Sequence, residues 1–186
     1  SRDPRKRHFA EELKAMEQLL AVLQKTLKCQ MYFKYGNHSE RYDHFLFAKA
    51  KELIGVEEVE LEAIIKKRCE GIVIIKDKRI IRANGLNIIH GHEYTQGMFN
   101  PVNVARGLFR RGKTSALQGH SHQTSEHTES DMNEKITTTW SAGCLCELHP
   151  EYAPLNKWNH GFCMVDLDGT TGFDVRNKRI VKGKVL

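Results

Sequence analysis

Gly119-His120-Ser121-His122 is the stretch whose reading decides the fold. In an extended segment residues two apart point the same way, so His120 and His122 would offer two imidazoles from one edge of a strand or strand-end loop. That is metal-ligand spacing. Imidazole suits zinc, iron, manganese and nickel alike, so the pair points to a transition-metal site without choosing the ion. Alternating histidines also occur on ordinary polar strand faces, and two further segments decide the matter: Gly36-Asn37-His38 and Ile89-His90-Gly91-His92. Each of the three follows a run of strand character, residues 29–33, 86–89 and 114–118. In open α/β sheets ligands bind at the carboxyl ends of strands, and here three such ends carry Asn or His chemistry.

Outward from these motifs the chain reads as α/β. Phe9, Leu13, Met16, Leu20, Leu23 and Leu27 recur four and three residues apart, with Glu11, Glu12, Lys14 and Lys25 on other faces, which predicts an amphipathic helix. Residues 41–53 read as a second helix with Phe45, Leu46, Ala48 and Leu53 as its apolar face, and residues 57–67 as a third. Residues 72–75 and 79–82 flank Lys76-Asp77-Lys78 as a predicted hairpin. Asn100 before Pro101 reads as the cap of a helix opening at Pro101. The remainder is mostly β: residues 136–140, a short strand over 143–148, and a hairpin of 161–167 with 173–176 closed at Asp168-Gly169. Two β-rich layers with helices outside accommodate this order.

The chain has 186 residues, 40% of them apolar, which fits one domain with a core of its own. No run of apolar residues is long enough to span a membrane and no signal peptide precedes the first helix, so a soluble, cytoplasmic protein is expected. Five cysteines, Cys29, Cys69, Cys144, Cys146 and Cys163, are odd in number and too sparse for a disulfide scaffold, in keeping with a reducing compartment. Cys144-Leu145-Cys146 has no partner pair at zinc-finger spacing and reads as two buried strand cysteines. A net charge of +6 favours anionic partners, phosphate esters or nucleic acid. Arg106, Arg110 and Lys113 share one helical face, and Arg41 follows His38 closely; these are candidate phosphate ligands, with a solvated surface as the plainer reading of the helix face. His92 either flanks the site or caps a loop, His127 reads as a loop histidine, and His149 and His160 read as structural turn residues. Trp140 and Trp158 read as core or interface.

Taken in order, Gly36-Asn37-His38, His90 in its Ile-His-Gly-His context and Gly119-His120-Ser121-His122 resemble the calcineurin-like metallophosphoesterases. Pro101-x-x-x-Ala105-Arg106, Gly143-Cys144-Leu145, Pro150-Glu151-Tyr152-Ala153-Pro154 and Asn156-Lys157-Trp158 are similar to the phage and bacterial branch of that family, and the likeness covers essentially the whole chain. The resemblance implies a four-layer α/β/β/α sandwich in a single domain over residues 1–186, holding two divalent transition metals of the manganese, iron or zinc type. By resemblance Asn37, His90 and His120 would ligate one ion and His122 the other. His38 would be the acid that protonates the leaving oxygen, and Arg41, His92 and Arg106 would meet the substrate. The reaction implied is hydrolysis of a phosphate mono- or diester by a metal-bound hydroxide, in the cytoplasm, or the host cytoplasm if the chain is phage-encoded.

Two of the family's motifs, Asp-x-His and Gly-Asp-x-x-Asp, do not occur in the chain, and Ser1-Arg2-Asp3-Pro4 looks like the sequence that follows the second of them. The expectation is that the amino-terminal strand-helix-strand is missing, that this chain alone is weak or inactive, and that it associates with itself or with the missing segment. Ser39 stands where the family carries an acidic residue after Asn-His. Glu126, Glu129, Asp131 and Asp166 have no assignment as the carboxylate that bridges the two ions. The alternative function is a non-catalytic remnant that keeps the fold and binds nucleic acid or a protein partner through its basic surface.

Overall fold

Helix α1 (Phe9–Leu27) occupies the span its periodicity predicts, with Glu11 and Glu12 in the first turn and Lys25 in the last, where they complement the helix dipole. The computed structural model describes residues 9–94, 102–169 and 172–186. Within them the chain is mixed α/β, with four α-helices and three sheets. It divides into two compact units, Ser1–Asp77 and Lys78–Leu186. Among the described residues no helix is long and apolar enough to cross a membrane.

In the first unit, α1 is followed by strand β1 (Tyr32–Lys34), helix α2 (Asn37–Lys49), a short 3-10 turn (Lys51–Leu53), helix α3 (Leu61–Arg68) and strand β2 (Val73–Ile75). Leu20 of α1 is buried with Tyr35, Leu61, Ile65, Cys69 and Ile72, and Leu13, Met16 and Phe33 pack beside them. Helix α2 starts four residues earlier than its apolar pattern predicts, because Gly36, in extended conformation, forms its amino-terminal cap. Its predicted apolar face is largely bare: Leu46 is buried, whereas Phe45, Ala48 and Leu53 are exposed. The predicted hairpin across Lys76-Asp77-Lys78 does not form. Strand β2 pairs in parallel with β1, Tyr32 opposite Val73, and the next strand belongs to another sheet.

That next strand, β3 (Ile81–Ala83), pairs antiparallel with β4 (Leu86–Ile89) around Asn84-Gly85. Both turn residues have positive φ, +46° and +88°, the backbone of a two-residue type I′ hairpin, for which Asn-Gly is the favoured sequence. Helix α4 (Val104–Gly112) leads to β5 (Ala116–Gln118), β6 (Ser125–Ser130) and β7 (Ile136–Ser141), and the sheet order is β3-β4-β5-β7-β6. Asn103 caps α4, its Oδ1 accepting from the Arg106 amide at 3.0 Å, so the helix opens after Asn103 and not at Pro101; Asn100 and Pro101 lie outside the described residues. Leu86, Leu117, Trp140 and Val175 form one core cluster, and Ile89, Leu108 and Ala116 a second. The buried Thr139 hydroxyl donates to the Ala105 carbonyl at 2.7 Å, tying β7 to α4.

The carboxyl-terminal strands β8 (Gly161–Asp168), β9 (Gly172–Val181) and β10 (Lys184–Val185) form an antiparallel sheet of their own in the order β10-β9-β8. The predicted hairpin is present and longer than its apolar residues reveal. In place of a strand over 143–148 there is one bridge, between Cys144 and His160.

Candidate metal centre

Strands β4, β5 and β7 are parallel neighbours, and they end level: Ile89 stands opposite Gln118, and Gln118 opposite Ser141. Each strand end therefore delivers its following loop to one edge of the sheet. After β4 come His90, His92 and Glu93; after β5, His120 and His122; after β7, Cys144 and Cys146. Backbone bonds hold these loops together, the Gly119 amide donating to the His90 carbonyl at 3.0 Å and the Ala142 amide to the Gln118 carbonyl at 2.8 Å. The positions follow the rule that open α/β sheets bind ligands beyond the carboxyl ends of their strands.

The first two loops bring three imidazoles together. Ring centroids lie 4.8 Å apart for His90 and His92, 5.0 Å for His90 and His120, and 6.2 Å for His92 and His120. The Nδ1 atoms of His90 and His92 are 3.0 Å apart. Two nitrogens at that distance share a proton, or with a small adjustment face a common cation, since nitrogens about 2.0–2.1 Å from one tetrahedral ion stand about 3.3 Å from each other. Glu93 fixes the loop: its carboxylate accepts from the His90 amide at 2.9 Å and from the Gly91 amide at 2.6 Å. His90, His92 and Glu93 each offer a ligand atom within 4.8 Å of the others.

Gly91 makes the cluster possible. Its φ is +117°, and a Cβ placed there would stand 2.9 Å from the Cβ of His120. A side chain of any kind would push the β5 loop away from the β4 loop.

His120 and His122 do not share one edge of an extended segment. Strand β5 stops at Gln118, and both histidines take the left-handed backbone, φ +60° and +57°. For residues with a Cβ this conformation costs about 1–2 kcal/mol each, a cost that recurs at functional sites. The result is a division of labour. His120 joins His90 and His92, whereas His122 lies with its Nδ1 3.7 Å from the Cys146 sulfur and its ring edge-on to Trp158, centroids 4.4 Å apart.

His122, Cys144 and Cys146 are a second group whose ligand atoms lie within 4.8 Å of one another. Cys144 is buried and Cys146 exposed, so of the reading of both as buried strand cysteines only the burial of Cys144 holds, and neither lies in a strand. Burial, followed by a hydrogen bond with Cys146, pushes the Cys144 thiol up to about 11.

The remaining predicted residues are placed as follows. Asn37 and His38 open α2 in the first unit, Asn37 half-buried and His38 exposed, and Arg41 is exposed on the next turn. Arg106 is exposed on α4. His127 lies in β6 rather than in a loop, its Nε2 2.6 Å from Glu129 Oε1. His149 Nδ1 is 3.2 Å from the Pro154 carbonyl, and His160 Nε2 is 2.8 Å from the Cys146 carbonyl. Sequence reasoning missed Glu93, although its place directly after His90-Gly91-His92 was a usable signal. It also missed the pairing of His122 with the two cysteines.

Set against protein-family models and against curated proteins, the chain matches none.

Proposed function

We propose that this chain is a metal-dependent phosphoesterase domain of the calcineurin-like type, acting on a phosphate mono- or diester, with its hydrolytic ion at His90, His92 and His120. The observation that carries the reading is the meeting of these three imidazoles beyond two adjacent parallel strands, with Gly91 cleared for the approach and Glu93 locking the loop. The residues fit a borderline transition metal: imidazole donors suit zinc, manganese or iron better than calcium or magnesium. Held by these residues, a metal of that class would supply Lewis-acid chemistry toward a phosphate ester and its attacking water.

The chain's own residues then have distinct tasks. His90, His92 and His120 would hold the ion, and Glu93 orients the loop that carries two of them. The roles that the resemblance implies for the remaining residues, Asn37 as a ligand, His38 as the acid, and Arg41 and Arg106 toward the ester's charge, are part of this proposal and rest on the sequence motifs alone. The four-layer sandwich and the dinuclear form of the centre belong to the same proposal. The second ion of that form would also need the carboxylates of the Asp-x-His and Gly-Asp-x-x-Asp motifs, which the sequence does not contain.

The test is metal analysis together with hydrolysis of a chromogenic phosphodiester, after removal of metal and reloading with manganese or zinc. His90→Ala and His120→Ala should each lose metal and turnover together. His38→Ala should keep its metal while turnover falls about a hundredfold or more. If both ligand variants keep wild-type metal content, the centre is not where this reading puts it. If metal binds at this centre and no ester is cleaved even when the chain is joined to a segment carrying the Asp-x-His and Gly-Asp-x-x-Asp motifs, the binding-module reading gains, and gel shifts with DNA over a salt series test it directly.

A further inference from the structure

We infer that His122, Cys144 and Cys146 form a separate site for a thiophilic divalent ion of the zinc class, distinct from the histidine cluster and drawing His122 away from the second hydrolytic ion that the resemblance implies. The three donors come from two strand ends, His122 after β5 and the cysteines after β7, and their ligand atoms all lie within 4.8 Å of one another. The 3.7 Å between His122 Nδ1 and Cys146 Sγ matches about 3.6 Å for a nitrogen and a sulfur sharing a tetrahedral zinc, given bonds of about 2.0–2.1 and 2.3 Å. Two sulfurs with one imidazole select zinc over harder ions.

The surroundings hold these donors in place. A single segment clamps both loops: the Asn159 amide donates to the His122 carbonyl at 2.9 Å, the Cys144 amide to the Asn159 carbonyl at 3.0 Å, and the Gly161 amide to the Cys144 carbonyl at 3.0 Å. That clamp is tight enough to require Gly143, where a Cβ would stand 2.6 Å from the Asn159 carbonyl oxygen. His160 steadies the other cysteine through the Cys146 carbonyl, and Trp158 sets the plane of the His122 ring. The proton balance is simple. Each thiol gives up its proton on binding, so a divalent ion displaces two protons, and the resulting centre of two thiolates and one neutral imidazole carries no net charge. Three protein donors leave the fourth tetrahedral position to water or to a further ligand.

Cobalt(II) is the probe, because cobalt bound by thiolate shows a sulfur-to-metal charge-transfer band in the near ultraviolet that histidine and carboxylate ligands do not give. The full chain, kept reduced and stripped of metal, is titrated with cobalt and then with zinc. The band should appear, saturate at one ion per chain and vanish as zinc displaces cobalt. It should be lost in Cys146→Ser, whose exposed side chain leaves folding intact as checked by circular dichroism, and lost or weakened in Cys144→Ser, while His90→Ala keeps it. A reduced wild-type chain without the band, or an undiminished band in Cys146→Ser, overturns the assignment. The band reports sulfur coordination alone, so failure of ester hydrolysis leaves this site standing and absence of the band leaves the hydrolytic reading untouched.

Discussion

Gly91 packs against the His120 side chain with room for no more than a hydrogen atom on its α-carbon: a methyl there would lie 2.9 Å from the His120 Cβ. The φ of +117° at Gly91 adds a second obstacle, because residues with side chains rarely adopt it. Gly91→Ala is therefore expected to destabilise the second unit by about 1–3 kcal/mol and to lower metal uptake with it. Thermal melts with and without metal measure both. An alanine variant with wild-type stability and metal content would mean that the two loops have freedom to separate.

Glu93 holds the amides of His90 and Gly91 with its two carboxylate oxygens. In Glu93→Gln one oxygen becomes an amide nitrogen that confronts an N–H donor, so one of the two bonds is lost. We expect the fold to survive and metal affinity to fall by roughly 10- to 100-fold, the range for groups that orient a ligand rather than supply it. Competition against a chromogenic chelator measures the change. An unaltered affinity would remove Glu93 from any role at the centre.

Tyr35 is 3% exposed, and its hydroxyl has no hydrogen-bond partner among the described residues. Burial, helped by the nearby Asp43 carboxylate, raises its pKa, so the group stays neutral throughout the physiological range. Its ring still packs edge-on to Phe33 and beneath the Lys76 ammonium. Tyr35→Phe keeps those contacts and removes a buried polar atom, and it should leave stability unchanged or raise it by up to about 1 kcal/mol. A loss of stability in urea titration would reveal a bond to that hydroxyl.

Acid should weaken the first unit through Glu62. Hydrogen bonds from Lys66 and then Lys76 hold its carboxyl below the ordinary carboxylate value. A depressed folded-state pKa contributes stability above the unfolded-state value, and that contribution is lost as pH falls through the folded one. Asp43 acts in the opposite sense, since burial raises its pKa and protonation favours the folded form. Denaturation of wild type and Glu62→Gln from about pH 6 down to about pH 3 should give curves that converge at the acid end. A constant gap between them would show that the lysine contacts do not depend on the charge of Glu62.

The elements legible in the sequence are those whose burial is written in apolar spacing. Leu13, Met16 and Leu20 announce α1, and Leu86, Ile88 and Ile89 announce β4, because a one-sided helix and a core strand must bury such residues. Strand β6, Ser-Glu-His-Thr-Glu-Ser, carries no apolar residue at all. It forms because its backbone pairs with β7 over six residues and Thr128 meets Thr138 at 3.0 Å, which no periodicity records. Asn84-Gly85 was a stronger turn signal than Lys76-Asp77-Lys78, and the hairpin forms there. At the candidate centre, sequence placed His90 and His120 at strand ends correctly. It paired His120 with His122 because an extended backbone was assumed, and the two left-handed residues break that assumption.

The same backbone has a thermodynamic consequence. Ser121 alone separates His120 from His122, so the α-carbons that carry one donor to each group are at most about 7 Å apart. If both groups hold ions as proposed, an ion taken up on one side would stiffen the tripeptide from which the other side hangs. Whatever factor the first ion applies to the affinity of the second, the second applies to the first, because the coupling free energy belongs to the shared loop and not to either ligand.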